Sequence, residues 1–176
     1  MIFLYILGIV LAILIILVLV APKHYDVQRS VYIDRPVAEV YNYLKSVKNQ
    51  DHWSPWKKKD PGMHQEFVGT DGTVGFVSKW DSDHKQVGAG QQEITALAEN
   101  ERVDTHITFL KPFKSESDGY LLTKPEGQGT KVTWGFTGTH TVPMNVMMLF
   151  FNMDKAVGKD FEEGLADLKQ LLEQNP

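Results

Sequence analysis

The C-terminal part of the chain, residues 145–174, has the pattern of a long amphipathic helix. Apolar side chains recur there at steps of three or four and form one stripe, with charged residues on the other sides: Val157, Phe161, Leu165, Leu168 and Leu172. Residues 146–151 are apolar on every side, so protein, ligand or lipid must cover that end. The pattern predicts one helix over residues 145–174 that lies along an apolar layer.

A series of segments with period-two alternation precedes this helix and predicts the layer that it covers. Turn residues such as Asp71-Gly72 separate the segments at short intervals. Hairpin-linked strands followed by a helix indicate an α+β domain with an antiparallel sheet of about seven strands. The expected strands are residues 26–33, 63–68, 74–80, 87–97, 102–110, 113–124 and 130–139, with a short helix after the first strand.

The N-terminal residues 2–21 contain no charged side chain. A helix of that length is ~30 Å long, which matches the hydrocarbon core of a bilayer. We therefore expect a transmembrane anchor over residues 1–21, a linker over 22–25 and a folded domain over 26–176. The alternative is a cleaved signal peptide, but no basic residue precedes the run and Pro22 follows the one plausible cleavage position. Basic residues after the run favour a single-pass protein with a cytoplasmic domain.

Composition and motifs narrow the function. The net charge of −4 is small and unpatterned, which argues against a nucleic-acid partner, and the chain has no cysteine. None of the six histidines forms a metalloprotease motif, and no nucleophile elbow or dinucleotide-binding loop is present. We therefore expect no metal site and no cofactor, and no catalytic constellation is found.

The order of elements and several short motifs resemble the SRPBCC superfamily, in its polyketide cyclase/dehydrase-like branch. The similar stretches lie at residues 29–36, 53–56, 72–75, 129–134 and 161–169. The resemblance implies a START-like helix-grip fold, in which a curved sheet wraps around the long C-terminal helix and leaves an elongated apolar cavity. Members of this superfamily bind lipids, sterols, polyketides, quinones and plant hormones, and a minority are enzymes.

The residues expected to line such a cavity are aromatic and flexible apolar side chains. Four methionines cluster at positions 144–153 beside two phenylalanines, and thioethers next to aromatic rings adapt to irregular apolar guests. Ordinary core packing and contact with the bilayer are the alternative explanations of this cluster. The candidate ligand-binding residues are Trp80, Phe109, Trp134, Phe136, Met147, Phe150, Phe151, Val157 and Phe161.

Three functions remain open at this point. The first is a membrane-anchored binding module for a hydrophobic small molecule or lipid, held between the sheet and the C-terminal helix. The second is an enzyme of cyclase or dehydrase type, which requires polar side chains with shifted pKa values inside the cavity. The third is a regulatory or interaction protein that holds no ligand and binds partners through an exposed apolar patch.

Overall fold

The computed structural model describes residues 2–140, 142–149 and 152–174. Its first element is helix α1, Ile2–Val20, which has 19 residues and no buried side chain. Among the described residues it is the one helix long and apolar enough to cross a membrane, with a mean hydropathy of 3.4. A fully apolar helix that leaves nearly all of its side chains exposed needs another apolar environment.

The folded domain is built on one antiparallel sheet of seven strands in the order β1-β7-β6-β5-β4-β3-β2. The first and last strands are therefore neighbours, and the others follow one another as hairpins. This confirms the α+β class and the helix-grip order predicted from the sequence. The strands are β1 (His24–Ile33), β2 (His64–Val68), β3 (Val77–Asp81), β4 (Ala89–Ala98), β5 (Arg102–Lys111), β6 (Ser115–Glu126) and β7 (Gly129–Thr139).

Side chains alternate between the two faces of the sheet as the period-two pattern predicts. In β7, Val132 and Trp134 are buried on the inner face, whereas Lys131 is exposed on the outer face. Val27 pairs with Phe136, and Phe136 pairs with Gly119, so these three residues share the inner face across β1, β7 and β6. Each strand therefore contributes every second residue to a concave surface.

Short helices close one side of this concave surface. Helix α2 (Val37–Leu44) begins after Pro36 and buries Val40, Tyr41 and Leu44. A 3-10 helix (Val47–His52) and helix α3 (Pro55–Lys59) follow it. Trp53, between these two helices, is 1% exposed and belongs to the core.

The C-terminal helix is not continuous, and the prediction of one helix over 145–174 was wrong in this respect. A short helix α4 (Met144–Met147) precedes α5 (Met153–Gln174). Asn152 is not helical, and its Oδ1 accepts a hydrogen bond from the Lys155 backbone N–H at 2.8 Å. This is the N-cap interaction that starts a helix, so α5 begins where asparagine satisfies the orphan N–H groups of its first turn.

Helix α5 packs along β1 and covers the inner face of the sheet. Trp134 stacks on Phe161 with ring centroids 4.2 Å apart and an interplanar angle of 19°. The Arg29 guanidinium on β1 pairs with Asp154 at 2.9 Å and with Glu162 at 2.7 Å. The guanidinium passes over the helix at Gly158, where a Cβ would lie 2.1 Å from its Nη2. Aromatic stacking at Phe161 and the ion pairs of Arg29 thus both hold the N-terminal half of α5 against the sheet.

Candidate functional site

A cleft of about 350 Å³ lies where the beginning of α5 meets the end of the sheet. Apolar side chains and four polar ones form its walls. They come from the residues before and in β1, the residue after β7, the turn after α4, and the start of α5. The lining residues are Pro22, His24, Tyr25, His140, Met148, Leu149, Asn152 and Met153.

Pairing of the first and last strands brings Tyr25 and His140 together although they are far apart in the chain. Tyr25 pairs with Gly138, and the His140 N–H donates to the Lys23 carbonyl at 2.7 Å. The Tyr25 ring fits because Gly138 has no side chain: a Cβ there would lie 2.2 Å from the Tyr25 hydroxyl oxygen. The two rings then stack with centroids 4.7 Å apart and an interplanar angle of 28°.

Both of these rings favour their neutral form near pH 7, and burial reinforces that preference. Desolvation raises the pKa of the Tyr25 phenol, which also shares a hydrogen bond of 2.7 Å with the Ser117 hydroxyl. Desolvation lowers the pKa of His140. A neutral imidazole offers one donor and one acceptor, and a neutral phenol offers a donor. The cleft therefore presents hydrogen-bonding groups that carry no charge.

The remaining side chains that line the cleft are mostly apolar. Met148 and Met153 are half-buried there, and Leu149 is 40% exposed. Unbranched thioethers adjust to guests of irregular shape, as expected for the methionine cluster. A cleft that combines neutral polar groups with apolar side chains suits an amphipathic molecule with one uncharged polar end.

The cleft is adjacent to the end of α1. Asn145 is fully buried, and its Nδ2 donates to the Val18 carbonyl in the last turn of α1 at 3.2 Å. Ala21 is also buried, and Pro22 lines the cleft itself. Because the last four carbonyls of a helix lack partners within the helix, this asparagine bond ties α1 to the domain at the edge of the cleft.

Three of the residues predicted as ligand-binding form an aromatic row on the concave face. The ring centroids of Trp80 and Phe109 are 6.1 Å apart, and those of Phe109 and Phe136 are 6.2 Å apart. Phe136 in turn contacts Tyr25 of the cleft, at 5.4 Å between centroids. All three predicted residues are half-buried. The row therefore leads across the inner face of the sheet to the cleft.

The other predicted residues lie apart from this row. Trp134 and Phe161 are buried in the main core, where they stack on each other, and Val157 packs against the same core. Met147 is 59% exposed on α4 and points away from the core. Phe150 and Phe151 lie outside the described residues. None of the predicted residues that the structure describes is among the lining residues of the cleft.

Sequence reasoning missed the polar residues that line the cleft. The sequence pattern places residues 22–25 in a linker, but His24 and Tyr25 are already part of β1. The alternation of β1 contains a signal for Tyr25: it lies two residues before Val27, so the two side chains face the same, inner side of the sheet. His140 gives no such signal, since it follows the last residue of β7. Among the described residues, no group of three or more acidic or histidine side chains is placed to hold a metal ion.

Comparison with known structures identifies the fold. A Rhizobium leguminosarum protein is 14% identical over 87% of this chain and 97% of its own, with a TM-score of 0.62. The crystal structure of Ara h 8.0201 is 16% identical over 86% of this chain and 99% of its own, with a TM-score of 0.57. The di-domain ARO/CYC protein BexL, from the BE-7585A biosynthetic pathway, is 17% identical over 92% of this chain and 54% of its own, with a TM-score of 0.62.

Such low identities show a shared fold alone, because one fold hosts many functions. A comparison with curated proteins finds no match. The profile of one sequence family, described as polyketide cyclase / dehydrase and lipid transport, matches residues 24–173. These residues include every strand and all but the last residue of α5, and the match confirms the SRPBCC resemblance. The chain therefore belongs to the polyketide cyclase / dehydrase and lipid transport family.

Proposed function

We propose that the chain is a membrane-anchored binding module that takes a hydrophobic small molecule into the cleft between the sheet and the start of α5. The observation that carries the proposal is the position of the cleft at the end of an apolar, unburied helix. A molecule that partitions into the bilayer would reach the cleft without crossing water. Lipids, quinones and polyketide-like compounds are guests of this kind.

The length and exposure of α1 support the anchor. Nineteen helical residues span ~28 Å, close to the thickness of the hydrocarbon core. The bond from Asn145 to Val18 supports an anchor that stays attached, because a removed signal sequence would leave this buried amide without its partner. Basic residues that follow the span favour a cytoplasmic domain, as expected from the positive-inside rule.

The size and lining of the cleft indicate the kind of guest. A volume of about 350 Å³ lies at the lower end of the range of roughly 300–1,000 Å³ for small-molecule sites. The polar end of the guest would meet Tyr25 and His140, and its apolar part would contact Met148 and Met153. A longer apolar chain would continue along the row formed by Phe136, Phe109 and Trp80.

Extraction of the purified full chain with organic solvent, followed by mass spectrometry, tests this proposal. We expect one compound class to be enriched over the bulk lipid of the preparation. The variant Met148→Trp places an indole in the cleft, and the guest content should then fall about tenfold, which needs a loss of only about 1.4 kcal/mol in affinity. Val74→Trp is the matched control, because Val74 is 59% exposed at the opposite end of the sheet.

Equal guest content in both variants, or no enriched guest in the wild type, would contradict the proposal. The second result would favour a regulatory protein without a ligand. The control adds the same indole at an exposed position. A general loss of solubility would therefore affect both variants and can be distinguished from a specific loss of guest.

A second candidate is a cyclase or dehydrase, and the neutral Tyr25–His140 pair favours it. A neutral imidazole beside a phenol that is bonded to Ser117 could accept a proton from a bound guest. BexL, with which this chain shares its fold, is itself an ARO/CYC protein. Incubation of the full chain with a reactive poly-β-ketone distinguishes the two functions. Cyclised product that disappears in Tyr25→Phe or His140→Phe would support the enzyme, and unchanged compound would support the binding module.

A further inference from the structure

The end of the sheet where α1 is attached carries exposed apolar side chains in addition to those of α1 itself. His24 pairs with Thr139, and Gly138 pairs with Ser117, so the start of β1, the end of β7 and the start of β6 lie at one end of the sheet. The tip of the β5–β6 hairpin, residues 110–114, therefore projects in the same direction as the junction between α1 and β1. Two to three strand spacings of about 4.8 Å, roughly 10–15 Å, separate the hairpin from β1 across the sheet.

This hairpin tip exposes large apolar groups. Phe113 is 71% exposed and Leu110 is 51% exposed. The segment after β7 reaches the same end and exposes further apolar side chains: Val142 at 56%, Met147 at 59% and Leu149 at 40%. Large apolar side chains exposed together at one end of a folded domain need an explanation, because exposed apolar surface of this kind marks an interaction site.

We propose that these residues, the apolar end of the domain, insert into the interface of the same bilayer that holds α1. The apolar end consists of Leu110, Phe113, Val142, Met147 and Leu149. This proposal rests on the membrane anchor of the proposed function and adds a second attachment to it. The occupant is lipid because the α1 junction, which ties the domain to the span through Asn145 and Val18, lies at the same end.

Apolar contact carries the attachment, and charge contributes little. Lys111 flanks Phe113 but pairs with Asp81 at 2.8 Å. Lys114, on the other side of Phe113, is followed by Glu116, and the neighbouring loop carries both Asp83 and Lys85. The basic and acidic groups near the hairpin thus compensate each other. The domain should contact neutral and anionic membranes alike, in contrast to a polybasic segment, which requires anionic lipid.

Two attachments fix the orientation of the domain. The one bond from Asn145 to Val18 leaves the domain some freedom to tilt against the span, whereas contact at the hairpin tip restricts that tilt. Leu149 belongs both to the apolar end and to the lining of the cleft. The orientation therefore holds the mouth of the cleft against the membrane surface.

Site-specific labels on the full chain test the inference, and the absence of cysteine makes them specific. Phe113→Cys carries an environment-sensitive fluorophore in vesicles of phosphatidylcholine, and Val74→Cys carries the same label as the control at the opposite end. We expect acyl-chain nitroxides to quench the label at 113 at a depth of about 5–10 Å below the headgroup boundary, as for interfacial helices. Aqueous iodide should quench the label at 74 and leave that at 113 unaffected.

The outcomes separate this inference from the proposed function. Chain that remains in vesicles after alkaline washing while iodide quenches both labels equally would overturn the second attachment and leave the anchor intact. Chain that washes off the vesicles would overturn the anchor and the inference together. Protection of the label at 113 only when anionic lipid is added would contradict an attachment carried by apolar contact.

Discussion

The backbone of Gly164 on α5 lies against the Trp134 ring of β7, so closely that a Cβ at Gly164 would be 2.9 Å from Cζ3 of Trp134. On its other side that Cβ would be 3.0 Å from Cδ of Pro55. Both neighbours are ring atoms: Trp134 is fixed by stacking on Phe161, and Pro55 lies in the first turn of α3. The position of the helix over the sheet therefore depends on a missing side chain.

Substitution Gly164→Ala should destabilise the domain. Overpacking costs about 1–3 kcal/mol, and alanine returns about 1 kcal/mol of helix propensity, so we expect a net loss of up to about 2 kcal/mol. Chemical unfolding of the full chain measures this change. Glu163→Ala, at an exposed position of the same helix, is the control and should be unchanged within about 0.5 kcal/mol. A stabilised Gly164→Ala variant would show that the ring contacts yield without cost.

Truncation of Phe161 and of Phe136 should have different effects. Phe161 is 2% exposed, and Phe161→Ala should lower the free energy of unfolding by about 3–5 kcal/mol. Phe136 is half-buried in the aromatic row, and Phe136→Ala should cost about 1–2 kcal/mol, since less apolar area is involved.

The same pair tests the extension of the site. Guest recovered per folded protein should fall in Phe136→Ala if the row binds the apolar chain of the guest, and should not change in a Phe161 variant that remains folded, such as Phe161→Leu. Loss of guest in Phe161→Leu and retention in Phe136→Ala would place the guest under the middle of α5 instead.

The stability of the protein should depend on pH through His140. Burial lowers the pKa of His140 in the folded state below its ordinary value of 6.5, so the unfolded chain binds the proton more readily. The stabilisation from a neutral His140 is therefore complete above pH 6.5 and is lost as the pH falls through the folded-state pKa. His140→Phe keeps an aromatic ring beside Tyr25 and removes the titration.

Urea midpoints at pH 7.5 and pH 5.5 measure this effect. The wild type should lose more stability than His140→Phe over that interval. Identical losses in the two proteins would show that the imidazole stays as accessible to water in the folded state as in the unfolded chain.

Alanine substitutions of Asn145 and Asn152 should affect different properties: the first the position of α1, and the second the stability of the domain. Asn145→Ala removes the bond to Val18, and we expect a broader distribution of distances between spin labels at Leu19→Cys and Lys124→Cys in nanodiscs. Its effect on unfolding should stay near 1 kcal/mol or less, because Oδ1 of Asn145 is buried without a partner and its removal offsets the lost bond.

Asn152→Ala is the matched comparison. It removes the N-cap of α5 and should cost about 1 kcal/mol of stability, with unchanged label distances. A broadened distribution in Asn152→Ala and none in Asn145→Ala would mean that the start of α5, and not the asparagine bond, holds α1 in place.

Much of the fold could be predicted because it depends on local patterns. The alternation of Val132, Trp134 and Phe136 with polar neighbours is a property of an extended chain, and the stripe from Val157 to Leu172 is a property of a helix. The break before α5 was missed because residues 146–151 are uniformly apolar and hide the cap formed by Asn152 three positions before Lys155.

The sequence by itself determined which side chains face inward. It also determined that the apolar side chains of α1 need an environment other than water. It could not distinguish Trp134 from Phe136, which share a face two residues apart. Only the tertiary structure decided that α5 lies over Trp134, which is buried by stacking on Phe161. Phe136 is left half-buried beside Tyr25. The cleft arose in the same way, since Tyr25 and His140 meet only through pairing of the first and last strands. Local periodicity reports the direction of a side chain, and the element that covers it is set by contacts between distant segments.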